Sequence, residues 1–212
     1  MSIIYINPFQ FAAAPAAFLL DDYPGAAAAY SLRQLRTGVT NVVRVRRDND
    51  DAEDDFTATE VSDGTLAAWV GAGNNGFVRI WYDQSGNAND AGRTAAANQP
   101  QVVSSGSLIT EGGKPAVWFD GLDDSLDADT LVPTFSGSNK PLHALTVLKS
   151  NVANAGNITA WAFGASADLD PGLRLIGQNS GTNNCRFQER NDSNVLTSLT
   201  GGNITARSLV YA

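Results

Sequence analysis

The chain has 212 residues, 43% hydrophobic and only 17% charged, with 20 glycines, a makeup that fills a core and supports many turns and is unlike that of a disordered tail. A formal net charge of −8 argues against a nucleic acid or an anionic membrane as partner, because both are held through clustered Lys and Arg. Cys185 and His143 are the only residues of their kinds, so an intrachain disulfide and a histidine-rich metal site are both excluded.

Residues 1–20 read as an extended apolar docking arm. Ile3, Ile4, Tyr5, Ile6, Phe9, Phe11, Phe18, Leu19 and Leu20 need cover from water, while Pro8 and Pro15 prevent a continuous helix. The arm lies along its own domain or on a neighbouring subunit. Its first residues carry no basic n-region of a secretory signal, and the apolar run Phe11 to Leu20 is too short to span a bilayer.

Residues 21–212 read as a single β-sandwich. Asp21, Asp22 and Pro24 are helix-start signals ahead of Ala26 to Leu35, and Gly38 is the stop, so the pattern predicts a helix over 26–35 with Ala28, Leu32 and Leu35 on one face. Asn41 to Asp48 alternates, Val43 and Val45 inward and Arg44 and Arg46 outward, as in a strand with one buried face. The acidic run from Asp48 to Asp55 matches no EF-hand spacing and reads as a solvated loop paired to Arg46 and Arg47. Ser62-Asp63 caps a short helix from Gly64 to Val70, with Leu66, Trp69 and Val70 inward.

The densest signal follows. Gly76 to Tyr82 is a run of aromatic and β-branched residues, a core strand, and it stops at Asp83-Gln84-Ser85-Gly86-Asn87-Ala88-Asn89-Asp90. Asp and Asn oxygens bond nearby amides and tolerate positive φ, so this is a tight turn. Its polar groups either satisfy their own loop or face a ligand. Pro100 to Ser104 and Lys114 to Asp120 are two further strand candidates. After them Asp120, Asp123, Asp124, Asp127 and Asp129 make an oxygen-rich turn able to take a hard cation such as calcium.

His143 falls in a strand pattern, where a packed core imidazole is the simpler role than a catalytic one. Short strands then alternate with Gly/Asn turns: 144–148, 159–163, 173–176, 185–189, 195–199 and 207–211. This spacing indicates a sandwich or jelly roll. No fixed-period repeat and no low-complexity linker divides the chain. The last residues stop within a strand pattern, as if the sandwich were incomplete or a partner covered its edge.

Four blocks, in order, carry a family resemblance: Ala29-Tyr-Ser-Leu-Arg-Gln-Leu, Val45-Arg-Arg-Asp, Trp81-Tyr-Asp-Gln-Ser-Gly-Asn-Ala-Asn-Asp and Gly113-Lys-Pro-Ala-Val-Trp-Phe-Asp-Gly-Leu-Asp-Asp-Ser-Leu. Together they resemble the concanavalin A-like (laminin G-like) jelly-roll domains of bacteriophage virion proteins. The first three are also similar to the opening of the fungal arabinofuranosidase B catalytic domain. The resemblance implies a concanavalin A-like jelly-roll β-sandwich with one or two short N-terminal helices. It implies a structural protein of the virion, a fibre, decoration or tail-associated subunit, made in the host cytoplasm and assembled as a homo-oligomer or with other virion proteins through residues 1–20.

On that reading exposed loops bind a host surface glycan, with Trp81 stacking on a sugar ring and Asp83, Asn87 and Asn89 bonding its hydroxyls. Two alternatives stand beside it. A glycoside hydrolase of arabinofuranosidase type needs a carboxylate pair; Asp83, Asp120 and Glu189 are among the acids present, and no motif after Ser125 matches the enzyme. A free lectin module would hold calcium through Asp120, Asp123 and Asp124.

Overall fold

The computed structural model describes residues 18–131 and 144–149 with their side chains, together with the backbones of strands at 158–164, 172–178, 184–190, 196–203 and 208–211. Residues 1–17 of the expected arm, and His143, lie outside the described residues. The described chain is mainly sheet with a few short helices, consistent with a β-sandwich. It divides into two compact units, Met1–Leu131 and Val132–Ala212.

The first unit is built on β1 (Val43–Arg47), β2 (Glu53–Phe56), β3 (Gly76–Trp81), β4 (Ala91–Gly92), β5 (Gln101–Ser104) and β6 (Ser107–Leu108). They form one antiparallel sheet in the order β2-β1-β3-β5-β6, with β4 also on β3. The aromatic and β-branched run therefore becomes the strand that all the others flank. A small hairpin of β7 (Thr110–Glu111) and β8 (Lys114–Pro115) follows.

Val43, Val45, Phe56, Val78 and Val103 form the inner face of the sheet, and Val61, Leu66 and Val70 pack with them from two short helices. A bulge between Arg44 and Val45 breaks the strict alternation of β1, and Val42, just before the strand, is fully buried as well. Arg46 lies on the other face, as expected, yet it is 9% exposed. Its guanidinium sits over the Phe77 ring, donates from Nε to Gln99 at 2.8 Å, and pairs with Asp51 at 2.7 Å. The acidic run is indeed paired to Arg46 and Arg47, through Asp51 and Asp50. Part of it also forms β2, because Asp55 meets Arg44 directly across the ladder.

Among the described residues the α-helices are α1 (Leu19–Asp22), α2 (Ala58–Ser62) and α3 (Thr65–Val70). The expected inward residues of α3 hold: Leu66 and Val70 are buried and Trp69 packs against the core. The preceding helix α2 had a legible signal in Thr57-Ala58-Thr59-Glu60, since Thr57 and Glu60 exchange the two bonds of a capping box. Two expectations fail. Residues 26–35 are not helical; they run as an irregular strap whose backbone groups bond to the Asp83 corner instead of to one another. The expected strand over Lys114 to Asp120 shrinks to Lys114–Pro115 and one bridge, Trp118 to Gln101, as suits a segment with a proline that cannot donate.

Gly76 opens β3 where three elements converge. A Cβ there would meet Val70 Cγ2 at 2.9 Å and both Val103 Cβ and Val45 Cγ1 at 3.1 Å. Gly76→Ala is therefore expected to destabilise the unit by about 1–3 kcal/mol through overpacking, read as a lower midpoint in urea with an unchanged slope.

In the second unit β9 (Leu145–Leu148) pairs antiparallel with β14 (Ser208–Tyr211). β10 (Ile158–Gly164), β11 (Gly172–Gln178), β12 (Asn184–Arg190) and β13 (Leu196–Asn203) form an antiparallel meander in sequence order. Each strand expected in this half is present, with ends shifted by a few residues.

Candidate functional site

The corner after β3 gathers the expected ligand residues, and in the structure their polar atoms face the strap. Asp83 accepts from four donors: through Oδ1 from the amides of Ala29 and Ser85, both at 2.8 Å, and through Oδ2 from Ser85 Oγ at 2.6 Å and the Asn89 amide at 3.0 Å. A carboxylate so bonded has little left for a sugar hydroxyl. Asn87 Nδ2 donates to the carbonyls of Ala26 and Ala27 at 2.9 and 3.2 Å, and Asn89 Nδ2 donates to Ala27 at 2.8 Å. The Tyr30 hydroxyl donates to the Asn89 carbonyl. Asp90 closes the turn by accepting from the Asp83 amide at 2.8 Å.

Sequence reasoning missed the residue at the centre. Gln84 is 1% exposed and reads the strap at three points: Oε1 accepts from Leu35 N–H at 2.7 Å, and Nε2 donates to Ser31 and Arg33 carbonyls at 2.8 and 3.0 Å. Its own amide donates to the Ala29 carbonyl at 2.9 Å. An extended segment leaves its N–H and C=O groups unpaired, and burial of such groups requires partners. The corner supplies them, which is why an alanine-rich stretch with high helix propensity is not a helix here: tertiary bonds override a propensity worth tenths of a kcal/mol per residue. The signal available in the sequence was the primary amides of Gln84, Asn87 and Asn89 packed into one turn, since each can donate and accept at once.

Trp81 is partly buried against the core cluster, with its ring tilted on Tyr30 at a centroid distance of 6.1 Å. It is a packing residue of β3, and its Nε1 is buried with no hydrogen-bond partner among the described residues. Burial, with the charges of Asp83 and Asp90 adding to it, pushes the Tyr30 hydroxyl well above the usual phenol range, so it remains a donor.

On the sheet beside the corner, Asp55 accepts from Arg44 through a bidentate pair at 2.7 and 2.8 Å and from the Tyr82 hydroxyl at 2.7 Å. The Arg44 bonds hold Asp55 below the usual carboxylate range, and the Tyr82 bond adds to this. Burial first, then the Asp55 bond, pushes Tyr82 up to about 12. A carboxyl with a depressed folded pKa stabilises the fold above its unfolded value and loses that contribution as pH falls through the folded one. Acid titration of the wild type is thus expected to lower stability below about pH 4, and Asp55→Asn should flatten that part of the curve. An unchanged acid limb in Asp55→Asn would count against the pairing.

Asp120, Asp123 and Asp124 do come together, with carboxylate oxygens within 4.8 Å of one another. Asp120 Oδ1 accepts from the Leu122 amide at 2.8 Å, and more distantly from Asp123 and Asp124; Asp124 Oδ2 accepts from the Asp120 amide at 2.9 Å. These amides pull the Asp120 pKa down, while desolvation pushes that of Asp124 up. The geometry is that of a self-bonded acidic turn, and its remaining oxygens are of the type a hard cation takes. Asp83 and Asp120, both named as acids for a glycosidase, are held by amides, and the side chain of Glu189 lies outside the described residues.

Comparison of the chain with protein-family models, with curated proteins and with solved structures finds no match in any of the three.

Proposed function

We propose that this chain is a structural subunit of a bacteriophage particle, a concanavalin A-like jelly roll whose polar corner after β3 serves its own fold and whose apolar residues 1–20 dock it on a neighbouring subunit. One observation carries the reading. Three of the four sequence blocks behind the resemblance are bonded to one another: Ala29 to Leu35 is held by the turn that follows Trp81, and the Val45 block lies in the β1 strand paired with β3. Blocks that contact each other in this way define a fold, whereas residues of a catalytic or sugar cleft leave polar atoms facing an open space. The net charge of −8 and the apolar residues 1–20 fit assembly among proteins better than contact with nucleic acid.

The test is incorporation. Purified particles should contain the chain at a fixed stoichiometry, and deletion of residues 1–20 should deplete it from particles while the remainder stays folded. Absence of the full chain from particles would overturn the structural reading; full occupancy by the shortened chain would remove the arm as anchor.

A further inference from the structure

We infer that residues 20–37 form a strap that releases from the corner as one unit, with Gly38 as its swivel, while the sheet of the first unit stays folded.

Two sets of bonds point to this. The strap is closed on itself at its base, where the Leu20 amide donates to the Leu35 carbonyl at 2.8 Å and Asp21 accepts from both the amide and the hydroxyl of Thr37. Among the described residues its hydrogen bonds to the rest of the unit run to one short turn: Ala26, Ala27, Ala29, Ser31, Arg33 and Leu35 use backbone groups, and Tyr30 and Arg36 use side chains, all toward residues 83–89. None of them belongs to the β-ladder. The strap can therefore leave without breaking a strand pair, and because its bonds share one turn they are lost together.

The link to the sheet is suited to such a movement. Gly38 has φ +81°, in the left-handed region, and the space around it is open, with nothing within 4 Å of where a Cβ would stand. Val42, where the chain rejoins the sheet, is tied independently by bonds to Phe56 and Tyr82. The apolar anchor of the strap is small: Leu32, at 6% exposure, in the valine-rich core, Leu35 at 7%, and the Tyr30 ring tilted on Trp81. Release would let the strap swing about Gly38 as a closed loop, with its base bonds kept. On the docking reading above, that is added reach for residues 1–20; the release itself does not depend on that reading.

Native-state hydrogen exchange on the full chain tests it, using the amides of Ala29 and Leu35 for the strap and those of Val45 and Val78 for the sheet. The strap pair should be protected, should exchange at one common opening equilibrium, and should exchange faster than the sheet pair with a weaker denaturant dependence. Val103→Ala then separates the two events, since Val103 pairs with Gly76 at the end of β3 opposite the corner and has no hydrogen bond to the strap among the described residues. It should accelerate the sheet amides about tenfold or more and leave the strap amides unchanged. Equal acceleration of both sets would overturn the inference, because the strap would then open only by global unfolding. Strap amides with no protection would overturn it too. If Val103→Ala does not fold, Leu108→Ala, at the paired and partly buried neighbour, replaces it.

Discussion

Gln84→Ala is expected to lower the unfolding free energy of the first unit by about 3 kcal/mol, a fall in Tm of roughly 10 °C. The side chain is buried and serves the Leu35 amide and the Ser31 and Arg33 carbonyls. Truncation leaves all three without a partner, and each unsatisfied buried group costs about 1–3 kcal/mol. The loss is capped by release of the strap, which returns those groups to water at the cost of exposing Leu32 and Leu35. Gln84→Glu gives a sharper reading. The introduced carboxyl keeps an acceptor for Leu35 but turns an oxygen toward two carbonyls, which disfavours its ionised form. Its folded pKa is therefore raised, and the stability of this variant relative to wild type should improve as pH falls through that value. Denaturant melts at pH 4 and pH 7 check this; a variant gap that widens at low pH would contradict the assigned bonds.

Asp83→Asn is the second large effect, about 2 kcal/mol of lost stability despite near-identical shape. All the partners of the Asp83 carboxylate are donors, the amides of Ala29, Ser85 and Asn89 and the Ser85 hydroxyl. An amide replaces one acceptor oxygen by a second donor, so bonds to one side of the group become repulsive, and charge-assisted bonds are the stronger kind. At a sugar-facing corner the same change would alter ligand affinity and leave the melting curve in place. Thermal unfolding of Asp83→Asn and Asp83→Ala side by side should show similar losses, and a wild-type Tm for Asp83→Asn would contradict the clamp.

Much of the sheet was legible because its signals are local. The run from Gly76 to Tyr82 announced the central strand, the Val43/Val45 spacing announced its neighbour, and Gly/Asn turns marked the strands after Leu142. Residues 26–35 misled for the opposite reason. Their alanines favour a helix locally, whereas the groups that hold them out of a helix lie 49 to 62 positions later in the chain, and no window over the segment contains them. The corner was recognised as a structured polar turn, but its orientation was not. Whether Asp83 and Asn89 face a ligand or a backbone depends on what packs opposite, and Gln84 drew no notice because one glutamine in a polar turn carries no periodicity. Arg46 likewise read as solvent-facing, since a period-two pattern says which face a residue occupies and not what covers that face.

Backbone NMR of the full chain tests most directly whether residues 26–35 are an irregular, non-helical strap held by the corner. Cα shifts without helical character over 26–35, together with a protected Leu35 amide that shows a contact to the Gln84 side chain, are the predicted result. Helical shifts through that stretch, with the side chains of Gln84, Asn87 and Asn89 mobile in solvent, would contradict it.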